Sequence, residues 1–162
     1  MVILHLAAPC HNVPVTFTLE LTMLQQISQA QLAFLQRQFQ ALIQCHALPF
    51  VGLTPSKLPE AAGVYLITAA LGGAEHPYYV GRTKNLRQRL YTNHLMGALS
   101  NARLKKHLIA AGECKDKVEA KQFIRDNCSV RWVEQVGFRE RGALEGYVTG
   151  LVFPKHGIYE EH

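Results

Sequence analysis

Apolar residues recur at roughly helical spacing from residue 22 to residue 46, at Leu24, Ile27, Phe34, Leu35, Phe39, Leu42 and Ile43, with glutamines on the other face. This pattern predicts one long amphipathic helix. Ahead of it, residues 13–21 (VPVTFTLEL) are rich in β-branched side chains in partial alternation and read as a strand. The opening MVILHLAAPC has no Lys or Arg before its apolar stretch, and Pro9 stands where an export signal carries a small residue. It too reads as structure, a strand. Pro49, Pro55 and Pro59 then mark a linker.

Beyond the prolines the period changes. AGVYLITAA and HPYYVGRT are short apolar and aromatic runs separated by residues 71–75, where Gly72 and Gly73 supply turn chemistry, so a β-hairpin is expected. Thr83 can cap a helix over residues 84–95 with Leu86, Leu90 and Asn93 on one stripe. A second short helix is expected over residues 101–110, stopping at Gly112, and a further one within the charged residues 113–127. The alternation in SVRWVEQV predicts a third strand, and Leu144, Val148, Leu151 and Val152 lie on one face of a last helix ended by Pro154. The order is ββααβα, an α/β fold of the α+β kind.

A chain of 162 residues suits one core plus an appendage. Its first 58 residues carry only Glu20, Arg37 and Lys57 as charges, so the expected division is 1–58, a strand and long helix, and 59–162, a compact domain. With 48% apolar and 18% charged residues the chain should be globular. No apolar run approaches the roughly 18–20 residues that span a bilayer, so a soluble protein without a membrane partner is expected. Cys10, Cys45, Cys114 and Cys128 form no CxxC pair, and free thiols in a reducing cytoplasm fit best. The net charge of +5 gains meaning from its distribution. Arg82, Lys84, Arg87, Arg89, Arg103, Lys105 and Lys106 crowd one stretch that has no acidic residue. Such clustering favours phosphate contact.

The tripeptides GVY (Gly63, Val64, Tyr65) and YVG (Tyr79, Val80, Gly81) resemble the pair that defines the GIY-YIG endonucleases. YVGRTKNLRQRL, SNARLKKHL and LEGYVTGLVFP extend the resemblance, in the family's order, from about residue 58 to residue 156. It implies the GIY-YIG fold, a three-stranded antiparallel sheet flanked by helices, with the first 58 residues as an extension. It also implies hydrolysis of nucleic-acid phosphodiesters, which needs an activated water and relief of charge on the phosphate and leaving oxygens.

By that resemblance Tyr65 falls at the position of the base, and its poor basicity near pKa 10 calls for a nearby cation to favour the phenolate. Tyr79 would orient water or phosphate, with Tyr78 packing on the opposite face. Arg89 would bind phosphate and stabilise transition-state charge, and Glu145 would be the single protein ligand of Mg²⁺, or of Mn²⁺. Arg82, Lys84, Arg87, Arg103, Lys105 and Lys106 are the expected substrate contacts. Several relatives have His or Tyr four residues after the arginine. Here Asn93 stands there and His94 one place later, and His94 is the candidate. Where relatives have an asparagine after the final proline, Gly157 stands here, leaving His156 as a substitute or the role absent.

The expected substrate is DNA. A basic groove with exposed Tyr91, His94 and His107 could hold a flexible single strand by stacking and charge. The alternatives are a restriction endonuclease cutting double-stranded DNA and a catalytically silent nucleic-acid-binding module.

Overall fold

The computed structural model describes residues 15–157, so the strand expected at the opening MVILHLAAPC lies outside the described residues. Val15–Gln44 form one helix, α1. The strand expected over residues 13–21 is therefore overturned from Val15 onward. The backbone there continues a long helix, where each added residue gains a backbone hydrogen bond, whereas a strand would need a partner. By its internal contacts the chain divides into a unit ending at Phe34 and one beginning at Leu35.

The second unit contains a four-stranded antiparallel sheet. Its strands are β1 (Leu48–Pro49), β2 (Gly63–Leu71), β3 (Ala74–Thr83) and β4 (Cys128–Glu134), in the spatial order β1-β4-β2-β3. The three expected strands are present, and the two-residue β1 adds an edge. Gly72 and Gly73, both at positive φ, turn the β2–β3 hairpin. Between β3 and β4 come a π-helix (Gln88–Met96), α2 (Arg103–Ala110) and α3 (Lys117–Asn127), and after β4 comes α4 (Phe138–Val152). Asp116 caps α3 by accepting from the backbone N–H groups of Val118 and Glu119.

Helices cover both faces of the sheet, which is why β2 is buried from Gly63 to Ala69 and shows no polar alternation. On one face Tyr65, Ile67 and Ala69 pack with Leu86, Leu90, Leu95, Leu104, Leu108 and Ile124. On the other, Val64, Leu66 and Val80 pack with Leu42, Leu144 and Val148. Leu53 and Leu58, in the proline-marked segment, join the first of these clusters.

Register in the hairpin shifts at Ile67/Thr68, where Tyr79 pairs with Ile67 but Pro77 pairs with Thr68. Tyr78 is thus the extra residue of a β-bulge. The bulge puts Tyr78 and Tyr79 in the same core cluster, correcting the expectation that Tyr78 lies on the opposite face.

Lys105 does not reach solvent. It is 2% exposed, and its ammonium donates to the carbonyls of Leu95 (2.9 Å) and Gly97 (3.0 Å), closing the C-terminal end of the π-helix. Its expected role as a substrate contact is replaced by a structural one. Lys105→Ala should cost about 2 kcal/mol, because one buried and one half-buried carbonyl lose a charged donor. Urea denaturation should show a lower midpoint with an unchanged slope.

Candidate active site

Tyr65 is fully buried, and its hydroxyl lies beside Gly81 on β3. A Cβ at Gly81 would stand 2.6 Å from Tyr65 Cζ and closer still to the hydroxyl oxygen. Only glycine leaves that phenol its place. The ring of Tyr79 stacks on Tyr65 with centroids 6.2 Å apart.

Two side chains of the π-helix converge on the same oxygen. Arg89 Nε donates to the Tyr65 hydroxyl at 3.1 Å, and His94 Nε2 lies 2.8 Å from it. In an α-helix the residue four after Arg89, Asn93, would share its face. A π-helix joins residues five apart, and that brings His94 into line. The helical form thus resolves the one-residue offset in the sequence. His94 is fully buried on Tyr65, while Asn93 faces the open cleft, so the predicted Leu86/Leu90/Asn93 stripe is corrected at its last member. Arg89 is steadied by a second bond, from Nη1 to the Asn101 carbonyl at 3.2 Å.

Glu145 enters from α4. Its partner is Arg82, with Nε 3.0 Å from Oε2, and not Arg141 one turn earlier, whose guanidinium donates to the carbonyls of Gln135 and Val136. Gly142 leaves room for the Arg82 guanidinium, whose Nη1 lies where a Cβ would stand.

Tyr65, Tyr79, Gly81, Arg82, Thr83, Arg89, Asn93, Arg103 and Glu145 together line a cleft of about 420 Å³. The sequence candidates Tyr65, Tyr79, Arg82, Arg89, Arg103 and Glu145 therefore meet in one place. Others do not line it. Arg87 donates to the Leu58 carbonyl and pairs with Glu60. Lys84 and Lys106 are exposed elsewhere on the surface. His156 donates its backbone N–H to Tyr78, sets Nε2 2.8 Å from Glu113 Oε1 and stacks on His107. Sequence reasoning missed Thr83 and Asn93 as lining residues and Gly142 as the space for Arg82. A glycine one helical turn before Glu145 was the available signal for the last.

Burial sets the electrostatics. It raises the Tyr65 pKa, helped by neighbouring Tyr79, and outweighs the opposing effect of Arg89. Arg89 lowers it, as expected of a nearby cation, but desolvation of the phenolate is the larger effect and the net shift is upward. Burial, with Arg89 and Lys105 nearby, takes His94 down to about 3, so the imidazole is neutral at physiological pH. The Glu145 pKa is raised by burial, against the pull of Arg82, Arg103 and Arg89.

The family model of the GIY-YIG catalytic domain matches residues 61–135, which span β2, β3, the π-helix, α2, α3 and β4. Over these residues the chain belongs to the GIY-YIG family. No curated protein and no solved structure matches the chain. The GIY-YIG stretch supplies Tyr65, Tyr79, Arg82, Arg89, His94 and Arg103, and Glu145 reaches the same cleft from beyond it. A GIY-YIG catalytic domain is a nuclease domain with DNA as substrate, and nucleases of this family generally depend on a divalent metal. Among the described residues no helix is long and apolar enough to cross a membrane, and no group of three or more His, Cys, Asp or Glu gathers around a point.

The donors that line the cleft suit a hard cation. They are one carboxylate (Glu145), the Asn93 amide oxygen and the hydroxyls of Thr83, Tyr65 and Tyr79, all oxygen. One carboxylate with several retained waters is the usual setting for Mg²⁺. Arg82 also tunes Glu145, because its charge favours the carboxylate form. Arg82→Gln should move the acid limb of the cleavage pH profile to higher pH. That shift is expected if cleavage needs the Glu145 carboxylate, whose pKa rises when the cation is removed.

Proposed function

We propose that the protein is a metal-dependent endonuclease hydrolysing DNA phosphodiester bonds, with single-stranded DNA as its substrate and Mg²⁺ or Mn²⁺ as its cofactor. The observation that carries this reading is the convergence of Arg89 and His94 on the Tyr65 hydroxyl, at the floor of a cleft shared with Glu145.

With His94 neutral and donating from Nε2, and Arg89 donating from Nε, the Tyr65 oxygen accepts two N–H bonds and turns its own proton towards the cleft. Loss of that proton leaves a phenolate held by two donors, placed to take a proton from the attacking water. Arg89 and Arg103 face the same space and neutralise charge growing on the phosphate oxygens. Tyr79, stacked on Tyr65, offers its hydroxyl to the water or the phosphate. Glu145 and the cleft's oxygen donors would hold the metal, which supplies positive charge that makes water acidic and relieves the departing oxygen. Arg82 favours the ionised form of the carboxylate.

The single-strand reading rests on depth. The reacting oxygen belongs to a fully buried residue, so the scissile phosphate must enter the recess. A flexible strand can bend into it, whereas a duplex resists bending over short distances. Equal nucleotide amounts of single-stranded circular DNA and double-stranded plasmid, incubated together with the protein in Mg²⁺, should show the circle opened first. Plasmid linearised first would instead establish the restriction reading, and binding without cutting of either would establish the silent module.

A further inference from the structure

The side chains expected to stack on bases are buried or half-buried against other side chains. His94 is fully buried on Tyr65, Tyr91 packs against the core, and His107 sits beside the rings of Tyr79 and His156. Another aromatic is exposed beside a cleft residue instead. Phe138, the first residue of α4, is 66% exposed, and the Arg82 guanidinium lies over its ring, 5.4 Å from the centroid. Arg82 in turn lines the cleft and pairs with Glu145, so the ring is tied to the site through one side chain. A lone exposed apolar residue is ordinary on a protein surface. Here the ring lies against a cleft arginine, and Val136, two residues earlier, is 85% exposed.

We propose that Phe138 is a stacking platform for an unpaired nucleobase of the strand whose phosphate occupies the cleft. The inference rests on the nuclease reading and deepens it, because it assigns to a named side chain the contact that distinguishes an unpaired strand from a duplex. An aromatic face accepts any base, so the contact adds affinity without sequence preference. In a duplex the bases are stacked on one another, and the ring gains little.

The test compares oligothymidylate with an abasic deoxyribose-phosphate chain of the same length, each end-labelled. Binding to the full-length protein is followed by anisotropy in chelator, where nothing is cut. Phe138→Ala should weaken binding of oligothymidylate about tenfold, leave the abasic chain unaffected and leave duplex DNA unaffected, while Phe138→Trp should bind as the wild type does. Equal weakening on the abasic chain would show that Phe138 acts only through Arg82 and its phosphate contact, and would overturn the proposal. Unchanged binding of oligothymidylate would overturn it as well. Failure of the nuclease reading is separately visible: Phe138-dependent binding without cleavage in Mg²⁺ removes the cutting and leaves the platform. Cleavage of single strands without Phe138 dependence does the reverse.

Discussion

Replacing Tyr65 by Phe is expected to lower the single-turnover rate of DNA cleavage about a thousandfold, the scale of losing a positioned general base. The change removes one oxygen and leaves the ring packed against Tyr79 and His94, but it strands the buried His94 Nε2, so stability should fall by about 1–3 kcal/mol without loss of the fold. Arg89 and His94 each lose a partner at that oxygen, and Arg89 keeps its bond to the Asn101 carbonyl. Because burial raises the Tyr65 pKa, the phenolate is scarce at neutral pH and its fraction grows as the pH rises. The wild-type rate should therefore climb on the alkaline side. The Phe variant should lack that climb, so the gap between the two widens with pH.

Glu145→Gln should be comparably damaging, by about a thousandfold or about 4 kcal/mol, for a different reason. The amide keeps the shape but removes the only carboxylate that lines the cleft among the described residues and leaves the Arg82 guanidinium without its ionic partner. Cleavage measured against Mg²⁺ concentration separates the two variants. Glu145→Gln should need far more metal to reach whatever rate it retains, while Tyr65→Phe should keep the wild-type metal dependence and lose only the maximal rate. DNA affinity in chelator should not fall in Glu145→Gln, since a negative charge has been taken from a cationic cleft.

The candidate residues of this site came from the resemblance to the GIY-YIG motifs, while the periodicity of the chain gave the elements that carry them. Tyr65 and Gly81 lie on a hairpin announced by two glycines, and Glu145 on a helix announced by its apolar stripe. Two features were not legible, each because a local irregularity shifts the count by one. The β-bulge at Tyr78 turns two consecutive tyrosines to one side, and strict alternation would have separated them. The π-helix replaces Asn93 by His94 beside Arg89, a change that helical periodicity at 3.6 residues does not contain. Residues 15–21 failed in another way, since β-branched propensity gave way to the continuation of a long helix. Lys105 reads as one more member of a basic run, and only its position opposite the end of the π-helix shows that its charge is spent on two carbonyls.

The measurement closest to the central claim is incubation of the purified wild-type protein with end-free, single-stranded circular DNA, once in Mg²⁺ and once in excess chelator. The account predicts that the circle is opened to linear and shorter products in Mg²⁺ and stays closed in chelator. A circle that stays closed in Mg²⁺ while the protein binds it, or one that is opened equally fast in chelator, would contradict metal-dependent hydrolysis at the cleft formed by Tyr65, Arg89 and Glu145.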